Sequence, residues 1–111
     1  MPSESNELLA ASPHDLESRF RQLTAEWKER SRFLSNSAQI AMLKPYQRII
    51  GLGAAAVPLI LVELSRAPDQ WFWALEAITG ENPVPAEAAG HVPSMTQAWI
   101  SWGRQQGILP R

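Results

Sequence analysis

The sequence contains no cysteine, which excludes disulfide bonds, thiolate nucleophiles and cysteine-bound metals. It has only two histidines, His14 and His91, and a metal site would need more ligands converging from distant positions. Gly51-Leu52-Gly53 is too short to cradle a phosphate group, and no predicted strand precedes it. Glu63 and Glu76 stand inside apolar helical segments, where we expect them on exposed edges rather than as a catalytic pair. The sequence therefore predicts no enzyme activity, no catalytic residue, no metal and no cofactor.

Charge of either sign is scarce after the first third of the chain. Residues 1–35 hold 6 acidic and 5 basic side chains, whereas the remaining 76 residues hold 10 charges in all, and the net charge is −1. A surface poor in charge is poorly wetted by solvent. Part of the C-terminal two thirds should therefore be covered by the N-terminal helix, by a second copy or by a partner.

Membrane and export signals are also absent. The first residues carry acidic Glu4 and Glu7 in place of a basic region, and the apolar patch Leu8–Ala11 is far too short for a signal peptide or a membrane span. We expect a cytoplasmic protein with no membrane partner and no evident small-molecule substrate.

The chain is organised around Gly53–Arg66, which contains an apolar run from Ala54 to Val62. At about 100° per residue, Val57, Ile60, Leu61 and Leu64 share one face of a helix. Leu59 and Val62 fall off that face and need a second neighbour to cover them. Pro58 suits a first helical turn, whereas in a central strand, the alternative structure, it would remove a ladder hydrogen bond.

Other helices are predicted on both sides of this run. Ser12 and Pro13 start a long amphipathic helix, whose apolar stripe comprises Leu16, Phe20, Leu23, Trp27 and Leu34. Two short pieces follow, 38–44 and 45–52, and Gly51 and Gly53 then allow an antiparallel reversal. A helix at about 68–79 is capped by Gly80, residues 81–92 form an ordered loop, and Ser94 begins a last helix that Gly107 ends. We predict an all-α fold of about five helices in one domain, 12–107, between tails 1–11 and 108–111.

The central segment resembles a known repeat. A HEAT-type helical repeat is similar to the run Tyr46-Gln47-Arg48-Ile49-Ile50-Gly51-Leu52-Gly53 and the step Ala56-Val57-Pro58-Leu59-Ile60-Leu61 that follows it. The closing unit of some bacterial HEAT-like proteins is similar in spacing to Ala74–Gly80, Trp99 and Trp102. The resemblance covers about one and a half repeats, with no third repeat to extend a solenoid. It implies a bacterial helical scaffold, HEAT-like antiparallel hairpins, macromolecular partners and no catalytic residue.

Five tryptophans are the most informative residues for function. Most of them fit core positions, but Trp73 lies about 200° around its helix from Trp71, so one flat contact cannot bury both. Either the last helix covers Trp73, or Trp73 is open to a partner. Exposed aromatic side chains are common anchors in protein interfaces. The sequence therefore predicts a non-catalytic protein–protein interaction module, a small subunit, an antitoxin-like or an accessory protein of a bacterial complex, or a dimer. Its partner-binding residues would be Phe72, Trp73, Val84 and His91.

Nucleic acid is the alternative partner. Arg21, Lys28 and Arg32 recur at i, i+7 and i+11 and form a basic stripe on the first helix, which Arg19, Arg30, Arg48 and Arg104 could extend. Glu17, Glu26 and Glu29 on the same helix lower the local potential. The pattern favours a solvated, ion-paired face over a phosphate-binding stripe.

Overall fold

A computed structural model of the chain describes residues 13–110, and all the regular secondary structure in this range is helical. Six α-helices and two short 3₁₀-helices follow one another, which confirms the all-α prediction. They are α1 (Pro13–Ser31), α2 (Ser37–Ala41), α3 (Lys44–Gly51), a 3₁₀-helix (Gly53–Ala56), α4 (Val57–Arg66), α5 (Phe72–Thr79), a 3₁₀-helix (Ala86–Ala88) and α6 (Val92–Gln105). The predicted tail 1–11 and the predicted cap Ser12 lie outside the described residues.

Four aromatic rings form the centre of the core where α1, α3 and α5 meet. Trp71 is fully buried, with its ring centroid 4.6 Å from that of Trp27 and 5.6 Å from that of Phe20. The ring of Tyr46 lies 5.1 Å from Trp27. Offset and tilted pairs of this kind contribute about 0.5–1.5 kcal/mol each beyond the area they bury. The tryptophan-rich composition thus stabilises the junction of the three helices.

Helix α1 buries the stripe that its sequence predicts. Phe20, Leu23 and Trp27 are buried, Leu16 and Leu34 are half-buried, and the helix packs mainly along α3. The indole N–H of Trp27 donates to the carbonyl oxygen of Ile40 at 3.3 Å, which ties α1 to the end of α2. The opposite face is exposed and charged, so α1 is amphipathic as expected.

The central apolar run is helical, with its expected face inward. Val57, Ile60, Leu61 and Leu64 are buried, and Gly53 adopts a positive φ of 77° at the turn that precedes them. The prediction that a neighbour covers Val62 is wrong, because this side chain is 52% exposed.

The turn between α3 and Gly53–Arg66 bends the chain by 109°, so it is more open than the predicted antiparallel reversal. The 3₁₀-helix at Gly53–Ala56 fills this corner, and α3 directs its buried face toward α1 and α5. Within residues 13–110, no single helix is long and apolar enough to cross a membrane. The segments Lys44–Gly51 and Gly53–Arg66 reach that length and hydropathy only when they are taken together, across the bend.

Helix α6 packs closely on α4 at Gly103. A Cβ atom at this position would lie 2.8 Å from Leu61 Cδ1 and 3.1 Å from Leu109 Cδ1. Ile108 and Leu109, which the sequence assigns to a tail, are half-buried against the core, and their backbone N–H groups donate to the carbonyl oxygen of Gly103 at 2.9 and 3.1 Å. The chain beyond α6 therefore helps to cover α4.

Candidate functional site

An apolar depression with an exposed aromatic side chain at its edge, that of Trp73, lies between α5 and α6. We call it the α5–α6 groove. It has a volume of about 580 Å³. Its lining residues are Phe72, Trp73, Glu76, Ala77, Asn82, Val84, Pro85, Ala86, Ala89, Met95 and Trp99. Concave, mostly apolar surfaces with a few polar groups are typical of binding sites.

The start of α5 determines which aromatic side chains the groove can offer. Trp71 directly precedes the helix and is buried in the core, Phe72 is buried in the wall of the groove, and Trp73 is 51% exposed. Trp99 is buried on the α6 side, with its ring 5.3 Å from that of Trp102 in an edge-on arrangement. Helix α6 therefore does not cover Trp73 fully, and about half of this side chain is open to solvent.

Residues 80–91 form the outer wall of the groove. Gly80 ends α5 with a positive φ of 71°, as its position predicts. The next turn is fixed by short hydrogen bonds: Glu81 N–H donates to Thr79 Oγ1 at 3.0 Å, and Val84 N–H donates to Asn82 Oδ1 at 3.2 Å. Val84, which follows this turn, is half-buried and lines the groove.

His91 lies at the end of this wall and has a structural contact. Its Nδ1 accepts a hydrogen bond from the backbone N–H of Ser94 and lies 2.7 Å from Ser94 Oγ. It caps α6, which therefore begins at Val92 and not at Ser94. Of the four predicted partner-binding residues, the structure brings Phe72, Trp73 and Val84 together in the groove, while His91 is exposed outside its lining.

Charge in this part of the chain has a single sign. Residues 67–103 contain Asp69, Glu76, Glu81 and Glu87 but no lysine or arginine. Residues 13–66 contain five acidic and eight basic side chains. Glu76 lines the groove, and Glu81 and Glu87 are exposed on its outer loop. The groove therefore has a negative rim around an apolar interior, and it favours positively charged groups nearby.

The basic stripe of α1 is largely neutralised by ion pairs. Arg21 pairs with Glu17 at 2.8 Å, and Arg32 pairs with Glu29 at 3.1 Å. Lys28 Nζ lies 3.5 Å from Glu63 of α4, and Arg66 reaches the same carboxylate at 2.6 Å. Burial by itself raises the pKa of Glu63, but the hydrogen bond from Arg66 and the positive charges of Lys28 and Arg66 outweigh it and lower the pKa.

A second cleft, of about 650 Å³, lies between α1 and α3 and is more polar. Arg19, Glu26 and Arg48 all line it. In residues 13–110, no group of three or more His, Asp or Glu side chains could hold a metal ion. His14 is exposed in the first turn of α1, Glu63 is held in ion pairs, and Glu76 is exposed at the groove.

One exposed aromatic residue was missed by the sequence reasoning. Phe33 follows α1 and is 90% exposed, more than the other large apolar side chains in the described part of the chain. It stands beside Leu34, which belongs to the buried stripe, and its position off that stripe is the signal that could have identified it. Met42, at the end of α2, is another exposed apolar side chain, with 69% of its surface open to solvent.

No family model, curated protein or solved structure matches this chain.

Proposed function

We propose that the protein is a non-catalytic protein–protein interaction module. Its α5–α6 groove receives a large apolar side chain from another polypeptide. The observation that carries the proposal is the half-exposed indole of Trp73 at the edge of a groove whose walls are mostly apolar. Half-exposed tryptophan side chains beside a pocket are typical anchors of protein interfaces, because they bury a large area with little loss of conformational entropy.

The charge around the groove defines the chemistry of its partner. Glu76 lines the groove, Glu81 and Glu87 are exposed on the loop that forms its outer wall, and residues 67–103 contain no lysine or arginine. A partner segment that carries arginine or lysine beside a large apolar residue would satisfy both features. An acidic segment would be repelled.

The fold supports a scaffold role rather than a chemical one. A HEAT-like relationship of the α3–α4 region, as the sequence resemblance implies, would make this chain a short helical scaffold. In that role it serves as a small subunit, an antitoxin-like or an accessory protein of a bacterial complex in the cytoplasm.

Nucleic-acid binding is the weaker proposal. Arg21, Lys28 and Arg32 each have a carboxylate partner, and phosphate would have to displace those partners before it could bind. Base stacking would need several exposed aromatic rings on one surface. Trp73 lies instead beside the acidic groove, so the stripe and the exposed indole do not form one site.

Binding of a short probe peptide tests the proposal. The probe is an eight-residue peptide with one phenylalanine flanked by two arginines. Two matched peptides replace either the phenylalanine with alanine or the arginines with glutamates. Isothermal titration calorimetry should detect the first peptide only, and Trp73→Ala should weaken its binding at least about tenfold.

Met42→Ser is the matched control, because it removes another exposed apolar side chain outside the groove. It should leave the affinity for the probe unchanged, and circular dichroism should show the same helix content in all variants. Failure of the arginine–phenylalanine peptide to bind at millimolar concentration, or equal binding to Trp73→Ala, would overturn the proposal.

A further inference from the structure

We infer that the groove receives a second copy of this chain, through the cationic aromatic segment at residues 30–33. This inference rests on the proposed function and names its partner. Phe33 supplies the apolar group, because 90% of its surface is exposed to solvent. An isolated benzyl ring held in water beyond the end of a helix is available to fill a pocket in another molecule.

Two arginines closely precede this ring in the sequence, and one of them lies against it. The guanidinium carbon of Arg32 lies 5.2 Å from the centroid of the Phe33 ring, and Arg32 also pairs with Glu29. Arg30 is exposed, and no ion pair joins it to a described residue. Residues 30–33 therefore offer one aromatic ring and two guanidinium groups on one short segment, which we call the Phe33 knob.

The groove and the Phe33 knob are complementary in apolar character and in charge. The groove has apolar walls and a volume of about 580 Å³, which is ample for one phenylalanine side chain. Glu76 in the groove and Glu81 and Glu87 on its outer loop are opposite in charge to Arg30 and Arg32. The same arrangement disfavours a groove-to-groove contact, because it would bring the acidic rims together.

The contact has to form between molecules. In one molecule Phe33 is exposed, so it does not fill the groove of its own chain. Helix α1 reaches the start of α5 through Phe20 and Trp27, whose rings lie 5.6 and 4.6 Å from that of Trp71. Phe33 lies beyond the end of α1, two residues after Ser31, and is not among the residues that line the groove. The knob and the groove are thus different surfaces of the same chain.

A contact between two different surfaces is heterologous, and it produces a ring or an open chain of molecules. Each molecule contributes one knob and one groove. A variant that lacks either surface cannot associate with itself, but two variants that lack different surfaces can still form one contact. This property distinguishes the arrangement from a two-fold symmetric dimer.

Sedimentation velocity over a concentration series tests the inference with Phe33→Ser, Trp73→Ala, Met42→Ser and the double variant Arg30→Glu/Arg32→Glu. The wild type and Met42→Ser should show an average mass that rises with concentration. The other variants should each weaken self-association at least about tenfold. An equimolar mixture of Phe33→Ser and Trp73→Ala should recover a 1:1 complex that does not grow further. Phe33→Ser should show the same helix content as the wild type by circular dichroism, since the side chain of Phe33 is exposed.

Other outcomes overturn the inference and separate it from the proposed function. A wild type that stays monomeric but binds the arginine–phenylalanine probe peptide would refute the second copy as partner and leave the proposed function standing. Self-association that Trp73→Ala abolishes and Phe33→Ser preserves would assign the groove to another occupant. A monomer that also ignores the probe peptide would refute both.

Discussion

The hydroxyl oxygen of Tyr46 on α3 accepts a hydrogen bond from the backbone N–H of Ala74 on α5 at 2.8 Å. The same hydroxyl donates to the carbonyl oxygen of Gln70 at 2.9 Å. Ala74 lies in the first turn of α5, where backbone N–H groups have no partner within the helix. Tyr46 thus caps α5 from another helix and fixes the rotation that buries Phe72 and exposes Trp73.

Removal of this hydroxyl should destabilise the fold. Tyr46→Phe keeps the ring in the aromatic cluster but leaves the buried N–H of Ala74 without its partner, which should lower the free energy of unfolding by about 1–3 kcal/mol. Urea denaturation followed by circular dichroism measures the change. An unfolding midpoint equal to that of the wild type would show that the bond does not stabilise α5.

The ion pairs of Glu63 should make stability depend on pH. The pKa of Glu63 is lowered in the folded chain, so its contribution is present above the unfolded value near 4.5 and is lost as the pH falls through the folded pKa. Glu63→Gln should therefore cost up to about 1 kcal/mol at pH 7, since the pairs are partly exposed, and close to nothing well below the folded pKa.

Urea midpoints of the wild type and Glu63→Gln at pH 7 and in acid check this expectation. Glu87→Gln is the control, because Glu87 is exposed on the loop and has no ion pair among residues 13–110. A Glu63→Gln deficit of the same size at both pH values would assign the effect to packing rather than to charge.

Two glycines of helical segments should respond to alanine in opposite ways. Gly103→Ala would place a methyl group 2.8 Å from Leu61, and the overpacking should cost about 1–3 kcal/mol. Gly51→Ala meets no atom within 4 Å and should be neutral or stabilising by up to about 1 kcal/mol, since alanine favours helix. Thermal unfolding of both variants decides the point, and a tolerated Gly103→Ala would mean that α6 can move away from α4.

Local pattern was sufficient to predict the all-α class and the buried faces of α1 and α4, although α5 begins at Phe72 and not near residue 68. The spacings of Phe20, Leu23 and Trp27, and of Val57, Ile60 and Leu61, follow the helical period and need no tertiary information. The first residue of a helix is harder to predict where more than one nearby side chain could cap it. At α6 the cap is His91, which a rule based on serine caps assigns to Ser94.

Features that depend on contacts between distant segments could not be predicted. The 109° bend at Gly53 is set by how α3 and α4 pack on other helices, so the residues of the turn alone do not determine it. Phe72, Trp73 and Val84 do line one groove, because Phe72 and Trp73 begin α5 and the loop that follows this helix brings Val84 back beside it. The acidic rim and the exposed Phe33 became meaningful only once the groove was located.

The most direct test of the central claim is a map of amide chemical shifts during titration with the arginine–phenylalanine peptide. The Phe33→Ser variant is the sample of choice, because its groove is intact and self-association does not interfere. We expect the largest shifts at Trp73, Val84 and Met95. These shifts should be lost in the double variant Phe33→Ser/Trp73→Ala. Shifts that centre on Arg19 and Arg48 in the polar cleft, or an unchanged spectrum, would contradict the account.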